Sequence, residues 1–68
     1  MHIYINSISI QLNNGEKLKF TYKEEDEIIL SEIMYFDDSQ NYIVIKDSDT
    51  HNTLFNKDKI ITIDVFFY

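Results

Sequence analysis

The stretch Ile28–Lys46, IILSEIMYFDDSQNYIVIK, constrains the fold more than any other part of the chain. Two apolar runs, Ile28–Phe36 and Tyr42–Ile45, flank the polar break Asp37-Asp38-Ser39-Gln40-Asn41. Asp, Ser and Asn bond their own backbone and accept turn geometry, so the break reads as a connection between two packed elements. Tyr42–Lys46 reads as a short buried strand. The run before the break is legible in two ways. As a strand it sets Ile29, Ser31, Ile33 and Tyr35 on one face and Ile28, Leu30, Glu32, Met34 and Phe36 on the other. As a helix it forms a stripe of Ile29, Leu30, Ile33 and Met34 at i, i+3, i+4 spacing. The acids just before it would then lie at the positive helix end, and Thr21 with Glu24 resembles a capping box. The abundance of isoleucine and aromatic residues favours the strand.

The flanking segments alternate with period two. In His2–Leu12 the face of Ile3 and Ile5 gives way to that of Ile8, Ile10 and Leu12, so the phase slips and a β-bulge or break is expected at Asn6-Ser7. Asn13-Asn14-Gly15 follows, an Asn-Gly hairpin signal, and Gly15 is the only glycine. The return strand Glu16–Tyr22 puts Leu18, Phe20 and Tyr22 on one face. Lys23-Glu24-Glu25-Asp26-Glu27 is a charge run, Asp47–Asn52 a polar loop, and Thr53–Phe55 a brief strand. Ile60–Tyr68 alternates again, with Ile61, Ile63, Val65 and Phe67 on one face. With no proline, none of these strands has that protection against edge pairing. The expected fold is a single all-β domain over residues 1–68, a small five- to six-stranded antiparallel barrel or roll. The alternative is α+β, with residues 23–36 as a helix on the sheet.

Composition narrows the chemistry. A chain of 68 residues without cysteine has no disulfide staple, no thiolate nucleophile and no cysteine-based metal site. Twelve acids stand against six lysines and no arginine, giving a formal net charge of −6. Phosphate contacts would be repulsive on average, so direct nucleic-acid binding is disfavoured. Met1–Leu12 lacks a basic start and a small-residue cleavage site, and no stretch has the length of a membrane span. A soluble, cytoplasmic protein is expected.

No catalytic, cofactor or metal site is expected. His2 and His51 have no neighbouring nucleophile motif, and a single glycine leaves no phosphate-cradling loop. Asp47-Ser48-Asp49 resembles the start of a calcium loop but lacks the required glycine and closing glutamate. The candidate interaction residues are Glu24, Glu25, Asp26, Glu27, Asp37 and Asp38, as one negative patch. Phe66 and Tyr68 are the candidates for self-association, and a homo-oligomer is expected.

The leading expectation is therefore a small acidic protein-interaction module. It would act as an inhibitor of the kind mobile elements such as phages encode, occupying the basic surface of a nucleic-acid-handling partner. Two resemblances add to this reading. Phe36-Asp37, Tyr42–Ile45, Leu54–Ile60 and Ile63, preceded by Leu12-Asn13-Asn14-Gly15, resemble in order the strands of Sm-like and Hfq-type small barrels. That resemblance implies ring assembly and, as the alternative function, oligomeric nucleic-acid binding. The chain departs from it in the long spacing from Gly15 to Phe36, and Asp58-Lys59 stands where the Hfq type has a lysine–histidine pair. Ile33–Phe36 with Asn41–Ile45 resembles LytTR DNA-binding domains, against which the acidity weighs.

Overall fold

A computed structural model describes residues 4–24 and 28–68. The first strand, β1 (Ile5–Leu12), is central to its sheet and shows why the phase of its sequence slips. Opposite it lies the last strand, with Ile5 facing Phe67 and Ser7 facing Phe66. Asn6 is thus the extra residue of a β-bulge. In a regular strand Ile5 and Ile8 would point to opposite faces. The bulge turns both into the core, where Ile5, Ile8 and Ile10 are almost fully buried.

β2 (Lys17–Thr21) returns along β1, from Gln11 facing Lys17 to Ser7 facing Thr21. The hairpin loop is Asn13-Asn14-Gly15. Leu12 N donates to Glu16 O at 2.8 Å, and Gly15 N to Leu12 O at 3.0 Å. Gly15 has φ +91°, whereas neither asparagine has a positive φ. The connection is therefore a three-residue loop closed by a left-handed glycine, a different turn from the two-residue Asn-Gly form.

The second sheet contains β3 (Met34–Phe36), β4 (Tyr42–Ser48) and β5 (His51–Asn56), with β4 in the middle. A 3₁₀ turn, Lys57–Lys59, then leads into β6 (Ile60–Phe67), which crosses back to pair with β1. The two sheets are ordered β2-β1-β6 and β3-β4-β5, and all their pairs are antiparallel. They share one core of Ile5, Ile8, Ile10, Ile33, Ile43, Ile45 and Phe55. Phe20 and Phe55 meet edge to face across it, with ring centres 6.1 Å apart. The fold is mostly β, a roll of two small sheets, and no backbone ladder joins them among the described residues.

Ile28–Phe36 adopts neither of its expected forms over its whole length. Only Leu30–Ile33 is helical, as α1, and Met34–Phe36 is strand. A helix over residues 23–36 is ruled out by the β3 ladder, in which Met34, Tyr35 and Phe36 face Ile45, Val44 and Ile43. No side chain caps α1 at Ile29, and Thr21 is in β2, so the capping-box pairing does not start a helix. Of the helical stripe, only Ile33 is buried, and Ile29 is 59% exposed. Pairing with β4 gives the last three residues a ladder and neighbours that a longer helix would forgo. The Asp47–Asn52 loop is likewise shorter than expected, because β4 runs to Ser48 and β5 begins at His51.

Two turn positions give a paired test. Gly15→Val is expected to destabilise the fold by about 1–2 kcal/mol. A Cβ at Gly15 meets nothing within 4 Å, so this cost is purely one of backbone. Gln40 holds φ 60° with a full side chain, so Gln40→Gly is expected to stabilise by up to about 1 kcal/mol. Urea midpoints at constant slope check both signs.

Candidate functional site

A concavity lies where the first sheet, α1 and the end of β4 approach one another. It is a cleft of about 440 Å³ lined by Tyr22, Ile28, Glu32, Ile33, Lys46, Asp47, Ser48 and Asp49. β2 delivers Tyr22 to one side, and its hydroxyl donates to the Lys46 carbonyl at 2.9 Å. Burial pushes the Tyr22 phenol above its ordinary value, and the Asp47 carboxylate adds to the shift. α1 supplies Glu32 and Ile33. Ile28 lies just before α1, the far end of β4 supplies Lys46, Asp47 and Ser48, and the β4–β5 turn supplies Asp49. The pairing of β4 with β5 shifts between Lys46 and Ser48, which singles out Asp47. Three carboxylates thus border a cleft that also has two isoleucines in its lining.

Asp47 belongs to a second, shallower groove as well, with Lys19, Phe20, Thr21, Ser48 and His51. His51 Nδ1 lies 2.9 and 2.8 Å from the two Asp47 carboxylate oxygens. An aspartate holding a histidine ring is part of a nucleophilic triad, but a hydroxyl on the other ring nitrogen is also required. No such contact occurs among the described residues. Ser48 and Thr50 engage one another instead, with their hydroxyl oxygens 3.4 Å apart. Nor do the described residues bring three or more His, Asp or Glu together in an arrangement for a metal ion.

The acids singled out by sequence are dispersed differently. Asp37 serves the β3–β4 turn: its carboxylate accepts from Ser39 Oγ, Asn41 N and Tyr42 N at 3.0–3.3 Å. Asp38 is exposed beside it. Both sit at the Tyr42 end of β4, whereas Tyr22 meets β4 at Lys46, about 13 Å further along the strand. Glu24 lies two residues past Tyr22 and is exposed. Glu25, Asp26 and Glu27 fall outside the described residues. The β3–β4 turn instead neighbours the basic 3₁₀ turn, through Lys57 N donating to Asn41 O.

Of the self-association candidates, Phe66 is 51% exposed. Tyr68 is engaged within the chain: its N–H donates to Tyr4 O, and its hydroxyl reaches Tyr22 O at 2.6 Å. In sequence Asp47 and Asp49 stand out only as the start of an incomplete calcium loop, and Glu32 is no candidate. Their convergence depends on a contact between residues 22 and 46, which no local pattern announces. Comparison with known protein families, with curated proteins and with solved structures finds no match to this chain.

Two substitutions test these local roles. Tyr22→Phe is expected to cost about 1 kcal/mol at neutral pH by removing the bond to Lys46. The part of stability tied to the neutral phenol is full below pH about 10 and is lost as pH rises through the raised value, so Tyr22→Phe should flatten the alkaline limb. Asp37 behaves oppositely. Partial desolvation raises its pKa, but the hydrogen bonds from Tyr42, Ser39, Asn41 and Gln40 outweigh this and hold it below the ordinary value. Its stabilisation is present above the ordinary aspartate range and is lost as pH falls through the depressed value. Asp37→Ala should therefore weaken the fold at pH 7 and shrink the loss of stability on acidification, read from urea midpoints across pH.

Proposed function

We propose that this chain is a non-enzymatic protein-interaction module that seats a basic side chain of a partner protein in the cleft beside β4. The observation that carries the reading is the convergence of Glu32, Asp47 and Asp49 on a cleft shared with Ile28 and Ile33. A lysine or arginine has an apolar stem and a cationic head, and this lining offers something to each. Lys46 is the only cation among the lining residues. The formal net charge of −6 adds a long-range field that speeds encounter with a basic surface more than it tightens the complex. Glu24, Asp37 and Asp38, which are not among the described lining residues, contribute to that field, and the charges of Glu25, Asp26 and Glu27 add to the same total. A cytoplasmic inhibitor that occupies the basic groove of a nucleic-acid-handling protein, of the short kind that phages encode, fits this chemistry.

The Sm-like reading, an oligomeric nucleic-acid binder on a closed barrel, keeps one observation in its favour. β4, β5 and β6 follow in the order that resemblance implies, with Lys57 and Lys59 on the turn between the last two. Closure would require the sheets to be continuous across residues 22–33.

Calorimetric titration with a lysine- and arginine-rich peptide at low salt separates the two. Binding is expected, and Asp47→Asn combined with Asp49→Asn should weaken it about tenfold and reduce its salt dependence. Peptide affinity indifferent to these changes would overturn the cleft as the site. Tight, salt-sensitive binding of single-stranded RNA in place of the peptide would favour the Sm-like reading.

A further inference from the structure

Among the described residues, four strands form the outer edges of the two sheets: β2, β6, β3 and β5. An open edge presents unpaired N–H and C=O groups, and proteins blunt such edges with lysines, brevity or bulges. β2 carries Lys17 and Lys19, and β3 is only 3 residues long. β5 has 6 residues, among them Asn52 and Asn56, which pack poorly in strands. β6 has 8 residues and a single charge, Asp64. Its pairing with β1 shifts at Ile61, where Gln11 faces Thr62 and Leu12 faces Ile60, and is regular from Thr62 to Phe66.

The direction of the backbone groups on β6 follows from two hydrogen bonds. Leu12 N donates to Glu16 O on the β2 side, so Ile10 and Ile8 also point toward β2, and Gln11 and Ser9 toward β6. Their partners Thr62 and Asp64 therefore point back at β1. Tyr68 N donates to Tyr4 O, which extends the same alternation to Phe66 and Tyr68. Ile63, Val65 and Phe67 are left with their N–H and C=O groups directed out of the sheet.

We propose that this edge is occupied by a second copy of the chain, β6 against β6, antiparallel about a two-fold axis through Val65. Residues of an antiparallel pair that lie opposite one another share a face, so a two-fold axis sets one residue opposite itself. An axis through Asp64 would oppose two like charges, which is destabilising. An axis through Ile63 would run the pairing into the irregular residue Ile61. An axis through Val65 uses only Thr62–Tyr68, and it sets Ile63 opposite Phe67 and Asp64 opposite Phe66 of the second copy. The three outward residues of each strand then exchange about six hydrogen bonds. Phe67, 53% exposed in the single chain although it shares a side with Ile63 and Val65, gains an apolar neighbour. The result is one continuous sheet, β2-β1-β6-β6-β1-β2. This inference is independent of the cleft. Because each copy carries a formal net charge of −6, the assembly tightens as salt rises, the reverse of the behaviour expected for binding a basic peptide.

Sedimentation equilibrium across protein concentration and salt tests it. The wild-type chain is expected to dimerise, more tightly at higher salt. Val65→Pro deletes an outward N–H that no ladder among the described residues uses, and it should abolish the dimer while circular dichroism still reports strands. Phe66→Asp alters a half-exposed side chain, and circular dichroism checks that its strands are retained. It places a second carboxylate opposite Asp64 and should weaken dimerisation at least about tenfold. Adding Asp64→Lys to Phe66→Asp creates two opposite-charge pairs in this register alone and should restore the dimer. A wild-type monomer at high micromolar concentration and high salt overturns the proposal. So does a dimer indifferent to both Val65→Pro and Phe66→Asp, or a double variant that stays monomeric.

Discussion

The bulge at Asn6 is the constraint on which this structure rests. β1 is the only strand of its sheet with neighbours on both sides, and it supplies Ile5, Ile8 and Ile10 to the core. Ile5 and Ile8 are three positions apart, an odd spacing that a regular strand would split between faces. One extra residue opposite Phe66 reverses the phase, so all three isoleucines meet Ile43, Ile45 and Phe55 of the other sheet. Ser7 is buried with them, at 1% exposure between its cross-strand neighbours Thr21 and Phe66. Without the bulge, either Ile5 or the Ile8–Ile10 pair would face away from that core.

The second dependency is how the chain passes from one sheet to the other. The 3₁₀ turn Lys57–Lys59 makes one crossing within three residues, and its C=O at Lys59 accepts from Asn13 N of the first hairpin. The other crossing, residues 22–33, is longer, and α1 is its one helical turn among the described residues. The sheets stay closely tied at the short crossing, and the cleft lies at the long one. Tyr22 links this end through the Lys46 carbonyl. The site is therefore a consequence of topology: acids from α1 and β4 meet where the backbone of the two sheets does not.

Charge and apolar edge oppose one another in this molecule. The carboxylates proposed to favour a basic partner would repel a second copy, and the edge of β6 proposed to pair would attract one. Asp64, the one charge on that strand, would then select among its registers. Asp37 shows the third use of an acid here, since its carboxylate is satisfied by its own turn and contributes to folding.

Short-range patterns were legible in the residues themselves. The alternation around Asn13-Asn14-Gly15 specified a hairpin, the slip at Asn6-Ser7 located the bulge, and the Asp37–Asn41 break marked a turn, because each follows from chemistry within a few positions. The Ile28–Phe36 run was ambiguous because its apolar residues satisfy both periods. What resolved it was the availability of β4 as a partner for Met34–Phe36, a fact about the fold and not about the run. The acidic site was hidden for the same reason. Asp37-Asp38, read both as a turn and as part of a negative patch, lies away from the cleft, whereas Glu32 and the incomplete calcium loop Asp47-Ser48-Asp49 line it. Sequence alone determined where much of the chain turns, but not which apolar residues leave water, since Ile29, Ile61 and Phe67 stay more than half exposed. Only the tertiary structure decided which acids are neighbours, because Tyr22, Glu32 and Lys46–Asp49 are brought together by long-range packing.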